Sequence, residues 1–251
     1  MKQWINRIIW GLFFYLIFLI VTLPAYLLVS RIELGDQIEL GNVSGTIWSG
    51  QIDQVRVDKT ILKDVHWAYN FSQLLTAQLA VDVTFGHPRK ILEPQGSAQL
   101  RYGLNGPSLA DVQIKLPADL IVQQLDMPFK VEASGLLEAN IEQAQLGEPV
   151  CQSLSGQVDW KLAGVNAMKT NFSYGDIGAN LSCDNGAVVA KVNGNPEQLI
   201  LDINARLNTY QSYSVEGYIS AGSKASKDLQ AALSYLGNPD NQGRYLIKFK
   251  Q

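Results

Sequence analysis

The sequence predicts a mainly β protein, in which a single N-terminal transmembrane helix precedes a curved antiparallel β meander or sandwich with a few short helices. Three observations support this prediction. The segment from Ile8 to Val29 contains no charged side chain. Beyond it, apolar and polar residues alternate with the period of two that is typical of strands with one buried face. Clusters of Gly, Asn, Asp and Pro separate these runs and indicate turns.

The uncharged segment is long enough to cross a bilayer. As a helix, Ile8 to Val29 would extend about 33 Å, against a hydrocarbon core of about 30 Å. We therefore divide the chain into a cytoplasmic tail (1–7), a transmembrane signal anchor (8–29) and an exported β domain (30–251). A cleaved signal peptide is the alternative, but its apolar core would be shorter and would end in small residues. The run ends Tyr26-Leu27-Leu28-Val29, which favours a retained anchor.

Charged and aromatic residues beside this segment predict its orientation. Lys2 and Arg7 precede it, whereas the other flank is mostly acidic. The positive-inside rule therefore places the N-terminus in the cytoplasm. Trp4 and Trp10 near one end, and Tyr26 near the other, have the positions of interfacial aromatic residues. We expect these five residues to hold the helix at the two membrane interfaces.

The alternating runs predict strands with one apolar and one polar face. In the clearest run, Leu199, Leu201 and Ile203 would share a face opposite Asp202 and Asn204. Similar runs occur at 79–85, 98–104, 158–162 and 245–249. Because each strand keeps a polar face, we expect an antiparallel sheet rather than a parallel α/β arrangement. No clear linker divides the exported part, so we predict one continuous β domain.

Three segments carry helical signals, namely 71–77, 117–125 and 225–236. In the last, apolar residues recur at helical spacing and form a stripe of Leu229, Ala232, Leu233 and Leu236. Ser223 or Ser226 would cap the start of this helix. We expect the stripe to pack against the core of the domain rather than to bind a partner.

The only two cysteines, Cys151 and Cys183, both lie in the exported part. A pair of cysteines in an oxidising compartment most simply forms one disulfide. Closing that loop would stabilise the fold by about 3–4 kcal/mol in the chain-entropy model. Two buried free thiols are the alternative, and the spacing excludes a C-x-x-C redox site.

The sequence shows little sign of chemistry. The net charge of −3 and the pI near 5.4 come with no basic stripe, which argues against a nucleic-acid partner. The two histidines, His66 and His87, have no Cys, His or carboxylate at metal-ligand spacing. No nucleophile elbow, zinc, Walker A or dinucleotide motif occurs. We therefore expect no cofactor and no enzymatic activity, although an enzyme built from distant residues stays a third possibility.

A short motif stands out near the start of the exported part. It reads Ser44-Gly45-Thr46-Ile47-Trp48-Ser49-Gly50 and places one large aromatic residue among small ones. We expect a hairpin in which Gly45 and Gly50 form the turns and Trp48 plugs the open end of the sheet. Direct contact between Trp48 and a partner is the alternative role.

Thr46 and Ser49 complete this motif. It is followed by an alternating strand at 62–69, a leucine turn at 74–79 and further short motifs, all in the order that one protein family shows. The succession resembles the protein N family of the bacterial type II secretion system. The resemblance implies a single-pass inner-membrane protein with its N-terminus in the cytoplasm and its β domain in the periplasm. It also implies an accessory role, by protein–protein interaction, in the export of folded proteins across the outer membrane.

The partners that this resemblance implies are other inner-membrane components of the secretion machinery, besides membrane lipid around the anchor. No catalytic residues, metal ligands or cofactors come with the family. A similar motif occurs in periplasmic β proteins that handle outer-membrane lipids. The alternative is therefore a tethered β-groove protein that binds or bridges lipids, since a long sheet with an apolar inner face could hold acyl chains.

Overall fold

The computed structural model describes residues 2–29, 38–124, 131–167 and 170–250. Its helices are α1 (Lys2–Val21), α2 (Ala25–Val29), a 3-10 helix (Phe71–Thr76), α3 (Asp119–Val122) and α4 (Lys227–Ser234). Its strands are β1 (Ile38–Leu40), β2 (Val43–Gly45), β3 (Ser49–Val57), β4 (Thr60–Tyr69), β5 (Leu79–Phe85), β6 (Gln95–Gly103), β7 (Gly106–Pro117), β8 (Val131–Leu146), β9 (Cys151–Ala167), β10 (Thr170–Asp184), β11 (Ala187–Asn195), β12 (Leu199–Thr209), β13 (Ser212–Ala221) and β14 (Tyr245–Lys250).

The fourteen strands of the described chain form a single antiparallel sheet. From β3 to β14 each strand pairs with the next one along the sequence, and β1 and β2 both pair with β3. The predicted antiparallel meander is thereby confirmed. Consecutive turns of a meander alternate between two ends of the sheet. One end carries the β2–β3, β4–β5 and β6–β7 connections, and we call it the helix-side end. The far end carries the β3–β4, β5–β6 and β13–β14 connections.

The register explains the alternation in the sequence. One row of directly paired residues crosses the sheet and is polar throughout: Ser44, Gln51, His66, Thr84, Ser97, Gln113, Asn140, Gln157, Asn180, Lys191, Asn204, Glu216 and Lys248. The neighbouring row is apolar: Phe85, Gly96, Ile114, Ala139, Val158, Ala179, Val192, Ile203, Gly217 and Ile247. Adjacent rows lie on opposite faces because successive strand residues point to opposite sides. The sheet therefore has one polar and one apolar face.

A second layer does not cover the apolar face in the described chain. Most residues of the apolar row are half-buried, and among the described residues no large side chain is fully buried. The main buried cluster lies at the far end, where Leu229 and Leu233 of α4 pack on Leu199. Around it lie half-buried Phe172, Tyr174, Leu201, Ile219 and Tyr245. Burial raises the pKa of the Tyr174 phenol. This packing confirms the core role predicted for Leu229 and Leu233 of the α4 stripe, whereas the same prediction for Leu236 is wrong, since Leu236 is 51% exposed.

Local irregularities break the period-two pattern where the sheet bends. On β9, Val158 and Trp160 were expected to share a face with Leu162, yet Leu162 is 79% exposed. Its backbone has a φ of 51° and lies at a register shift opposite Gly135, whose φ is 96°. Such a bulge turns the next side chain away from the face that alternation assigns to it. The predicted apolar position of Leu162 is therefore wrong.

The short helices fall where the sequence predicts them, with shifted ends. The 3-10 helix ends one residue before the predicted Ala77, and α3 occupies only the centre of the predicted 117–125, of which Leu125 lies outside the described residues. Helix α4 begins after Ser226, whose Oγ accepts a hydrogen bond from the Leu229 amide at 3.1 Å. It ends at Ser234, before the predicted Leu236.

The uncharged N-terminal segment is divided between two helices. Helix α1 ends at Val21, and α2 begins at Ala25 after a break that contains Pro24, which cannot donate a backbone hydrogen bond. Among the helices of the described residues, none combines the length and the apolar character needed to span a bilayer. The predicted domain boundary at residue 30 lies outside the described residues.

Candidate functional site at the junction of helix and sheet

The motif at 44–50 forms the turn between β2 and β3. Gly45 pairs with Gly50, and between them the Thr46 amide donates to the Ser49 carbonyl at 2.9 Å. The Ser49 amide in turn donates to the Thr46 hydroxyl at 3.2 Å. The polar residues of the motif therefore close a tight turn, which leaves Ile47 and Trp48 at its tip.

Both glycines of the motif are required by close approaches of the backbone. Gly45 has a φ of 89°, and a Cβ on it would lie 2.6 Å from the Cα of Gly50. A Cβ on Gly50 would lie 2.6 Å from the Ser44 carbonyl oxygen and would overlap the ring of Trp67. The turn therefore excludes any side chain at either position without movement of its neighbours.

The tip of this turn binds the C-terminal end of α1. The Trp48 Nε1 donates to the Ile20 carbonyl at 2.9 Å, and the Ile47 amide donates to the Leu23 carbonyl at 3.1 Å. Pro24 and Thr46 form an isolated antiparallel bridge. The last carbonyls of a helix have no partner within the helix. The motif supplies a donor to one such carbonyl, that of Ile20, and another to the Leu23 carbonyl just after the helix, and it thereby joins the helix to the sheet.

Aromatic rings surround this joint. The Trp48 ring lies 5.3 Å from that of Tyr69 and 5.7 Å from that of Phe71, measured between centroids. The Tyr69 amide also donates to the Trp48 carbonyl at 2.8 Å. Rings at these distances favour each other beyond simple burial of area. Trp48 is therefore held by β4 and by the 3-10 helix as well as by α1.

A second indole supports the same turn. The Trp67 Nε1 donates to the Ile47 carbonyl at 3.1 Å, and its ring lies over Gly50. Sequence reasoning placed Trp67 on an alternating strand but did not connect it to the motif. The spacing of Gly50 and Trp67 along the hairpin could have indicated this contact, because the two residues lie directly opposite each other in the β3–β4 pair.

The predicted interface residues lie on the two N-terminal helices. Trp4 (73% exposed), Arg7 and Trp10 (55% exposed) belong to α1, and Tyr26 (55% exposed) belongs to α2. The side chain of Lys2 lies outside the described residues. These residues do not meet at one site, because they are spread along the helices. Next to Tyr26, Ala25 is 2% exposed, and α2 packs on β2.

The two cysteines form a disulfide at the helix-side end, with their Cα atoms 6.1 Å apart. Cys151 begins β9, and Cys183 lies near the end of β10. The amides of Val150 and Cys151 both donate to the Gly186 carbonyl, at 3.0 and 3.2 Å. The disulfide and these bonds tie the β8–β9 turn to the β10–β11 turn.

The two carboxyl groups with lowered pKa values, Glu93 and Asp240, belong to surface loops. Hydrogen bonding from Lys63, whose Nζ lies 3.0 Å from the Glu93 carboxylate, lowers the pKa of Glu93. The Arg244 amide and guanidinium lower the pKa of the Asp240 carboxyl. Across the described residues, no group of three His, Cys, Asp or Glu side chains is placed to hold a metal ion.

The fold and the junction define a class of protein in which an apolar N-terminal helix is fixed end-on to an open antiparallel meander. A family model described as type II secretion system (T2SS), protein N, matches residues 36–248. Since this match covers most of the sequence, the chain belongs to the type II secretion system protein N family. The resemblance carried by the motif at 44–50 is thereby confirmed.

Curated relatives agree with this assignment. The chain is 30% identical over 226 residues to the type II secretion system protein N of Vibrio cholerae, which covers 90% of this chain and 89% of that protein. It is 29% identical to the protein of that name from Aeromonas hydrophila, with 94% and 93% covered. For the Pectobacterium carotovorum protein the identity is 25%, with 94% and 92% covered. No solved structure matches the chain.

Proposed function

We propose that this protein is an accessory component of the type II secretion apparatus that is tethered to the inner membrane and acts by protein–protein interaction. Its role would be in the export of folded proteins across the outer membrane. The observation that carries the proposal is the junction, in which Trp48 and Ile47 bind the carbonyls of Ile20 and Leu23. A sheet joined to a membrane helix in this way raises the local concentration of its partners at that membrane.

The proposed tether is the segment 8–29, between a cytoplasmic tail at 1–7 and a periplasmic domain at 30–251. It carries no charge, and the large apolar side chains that the structure describes on α1 are 40–73% exposed. Side chains of this kind suit a lipid environment better than water. Lys2 and Arg7 on the short side support a cytoplasmic N-terminus.

Partner binding would use the β14 edge of the sheet. In the described chain β14 has a neighbour on one side only, whereas the opposite edge is split into the three-residue strands β1 and β2. An exposed edge strand can accept an extended segment of a partner through main-chain hydrogen bonds. Lys248 and Lys250 lie on this edge, and lysines at such positions suppress uncontrolled pairing.

A crosslinking experiment in intact cells tests this proposal. A photoreactive amino acid replaces Lys248 at the edge or, as a matched control, Gln157 at the centre of the same exposed polar row. We expect adducts with inner-membrane components of the secretion machinery from position 248 and not from 157. Equal adducts at both positions would reject the proposed role. So would the absence of adducts at both positions, together with unchanged exoprotein export in a deletion strain.

The apolar face supports a second candidate function, the binding or bridging of lipids. Its half-buried apolar row crosses ten strands, and no large described side chain is fully buried beneath a second layer. Native mass spectrometry of the full chain released from membranes would detect bound lipid. Ile114→Trp should fill the groove and reduce the adducts, whereas Gln113→Trp on the polar face should not. Absence of adducts from the unaltered protein would eliminate this candidate.

A further inference from the structure

An exposed apolar surface lies beside the end of α1. We call it the apolar rim and define it as Phe71, Leu74, Leu75, Leu79, Tyr102 and Leu104. All six side chains are more than half exposed, and Leu75 and Leu104 are 92% and 96% exposed. They belong to the β4–β5 and β6–β7 connections and to the strand ends beside them, at the helix-side end of the sheet. Contiguous exposed apolar surface of this kind marks an interaction site.

The rim is continuous with the helix through a chain of contacts. Trp48 donates to the Ile20 carbonyl of α1, and its ring packs on Phe71 of the rim. Leu79 pairs directly with Tyr102, and a Cβ on Gly103 would lie 3.1 Å from the Gln78 side chain. The β6–β7 turn with Leu104 therefore lies against the β4–β5 connection, which is linked to the end of α1 through Trp48.

The rim carries no charge. Residues 67–81 and 102–110 contain no Asp, Glu, Lys, Arg or His. Polar side chains of the 3-10 segment bond to each other or to the backbone instead: the Ser72 hydroxyl donates to Asn70 Oδ1 at 2.6 Å, and the Thr76 hydroxyl donates to the Gln73 carbonyl at 2.8 Å. Polar groups that are paired internally can leave water at lower cost.

The far end shows the opposite character. Its β5–β6 connection also exposes two apolar residues, Ile91 (64%) and Leu92 (84%), but it places Arg89, Lys90 and Glu93 around them. An exposed leucine in a charged loop is ordinary for a surface in water. The apolar rim differs, because its exposed leucines lie in an uncharged surface next to an apolar helix.

We propose that the apolar rim inserts into the headgroup and upper acyl region of the bilayer that α1 enters, so that the sheet is supported on the membrane at two places. This proposal rests on the proposed function, because it takes α1 as the membrane tether. A lipid surface fits better than a protein partner, since the rim begins at the helix end, is uncharged and presents single leucines at loop tips. Interfacial binding of this kind scales with the apolar area that is buried.

Fluorescence quenching in proteoliposomes tests the proposal on the full chain. Single cysteines are introduced by Leu75→Cys, Leu104→Cys, Leu92→Cys or Phe14→Cys and labelled without reductant, so that the pair Cys151 and Cys183 does not react. The label is an environment-sensitive fluorophore. The vesicles contain phosphatidylethanolamine, phosphatidylglycerol and lipids with a nitroxide at a shallow or a deep position.

We expect blue-shifted emission and quenching by the shallow nitroxide at positions 75 and 104, deep quenching at 14 and no quenching at 92. Quenching at 14 without quenching at 75 and 104 would overturn the rim and leave the tether intact. Absence of quenching at 14 would overturn the tether itself. Equal quenching at 92 would show that contact with lipid is not specific to the rim and would also overturn the proposal.

A second variant separates lipid from a protein partner or a second copy of this chain. Leu75→Asp places a charge on the rim at a side chain that is 92% exposed, so folding should be unaffected. In vesicles that contain only this protein at low density, Leu75→Asp should abolish the quenching of the label at position 104. Leu92→Asp should leave that quenching unchanged. Quenching at 104 that depends on protein density would identify self-association and reject the lipid surface.

Discussion

The two ends of the sheet are built differently. The helix-side end holds the junction, the disulfide and the uncharged rim, and its turns are tied to each other through Trp48 and through Cys151 and Cys183. The far end holds the apolar cluster under α4 and exposes charged loops such as the β5–β6 connection, whose Glu93 pairs with Lys63 of β4. At that end Lys59 Nζ also donates to the Gln123 carbonyl beyond α3, at 2.9 Å.

This difference teaches how a single-layered sheet can be held together. Since no second layer buries the apolar face in the part of the chain that the structure describes, the domain gains stability at its two ends, by covalent and polar links at one and by a small packed cluster at the other. The stabilising free energy of hydrophobic burial is proportional to the apolar area that is removed from water. The cluster under α4 can therefore stabilise the far end, whereas the helix-side end needs links that do not depend on a core.

The largest expected effect is the loss of the disulfide. Cys151→Ala combined with Cys183→Ala should lower the free energy of unfolding by about 3–4 kcal/mol, because the 32-residue separation is no longer closed in the unfolded chain. Denaturant titration of the full chain in detergent measures this. An unchanged midpoint would contradict the view that the helix-side end depends on this link.

Removal of a packed side chain should weaken the far end by a comparable but smaller amount. Leu233 is 4% exposed, and Leu233→Ala should cost about 2–3 kcal/mol, at the low end for such changes because only one layer packs on it. The same titration measures it. Leu236→Ala is the control, since Leu236 is 51% exposed beyond the helix end and should change the midpoint little.

The junction is expected to depend in part on the indole donor of Trp48. Trp48→Phe keeps an aromatic ring but removes the bond to the Ile20 carbonyl, and it should weaken the junction by about 1–2 kcal/mol. Hydrogen exchange of the Ile47 amide, which donates to Leu23, should become faster. Trp160→Phe removes a similar bond to the Ser134 carbonyl inside the sheet and should leave that exchange unchanged.

A smaller effect should distinguish the two possible caps of α4. Ser226→Ala removes the side chain that accepts from the Leu229 amide and should cost about 1 kcal/mol. Ser223→Ala should have almost no effect, because the cap of the helix is Ser226. Thermal unfolding of the two variants compares them, and equal losses would place the helix start elsewhere.

The smallest effect concerns pH at the far end. Because Lys63 lowers the pKa of Glu93, their contact is complete above the ordinary Glu pKa and is lost as the pH falls through the lowered folded value. In a carboxyl NMR titration, Lys63→Met should raise the midpoint of Glu93 towards its ordinary value. A midpoint that does not move would show that Lys63 does not hold this loop.

Much of the fold could be predicted because local rules agree with it. The period-two run that begins at Leu199 places Ile203 on one face and Asn204 on the other, as the register shows. The predictions failed where backbone geometry departs from the regular strand. At Leu162 a positive φ reverses the expected face, and Gly164, two residues later, does not by itself mark the position of the bulge.

The candidate site was only partly predictable. The motif indicated a turn built from Gly45 and Gly50, and the structure places a turn there. The carbonyls of Ile20 and Leu23, which the motif binds, could not be predicted, since backbone carbonyls are present at every residue. Only the fold brings the tip of the motif against the Ile20 carbonyl at the end of α1 and the Leu23 carbonyl just after it.

By itself, the sequence determined the strand type, the alternation of faces, the short helices and membership in the secretion family, because each depends on neighbouring residues or on a compact motif. Only the tertiary structure decided which end of the sheet meets the helix, which uncharged segments come together in the rim and what Trp48 binds. These are relations between residues far apart in the chain, and they are set by strand register and by packing.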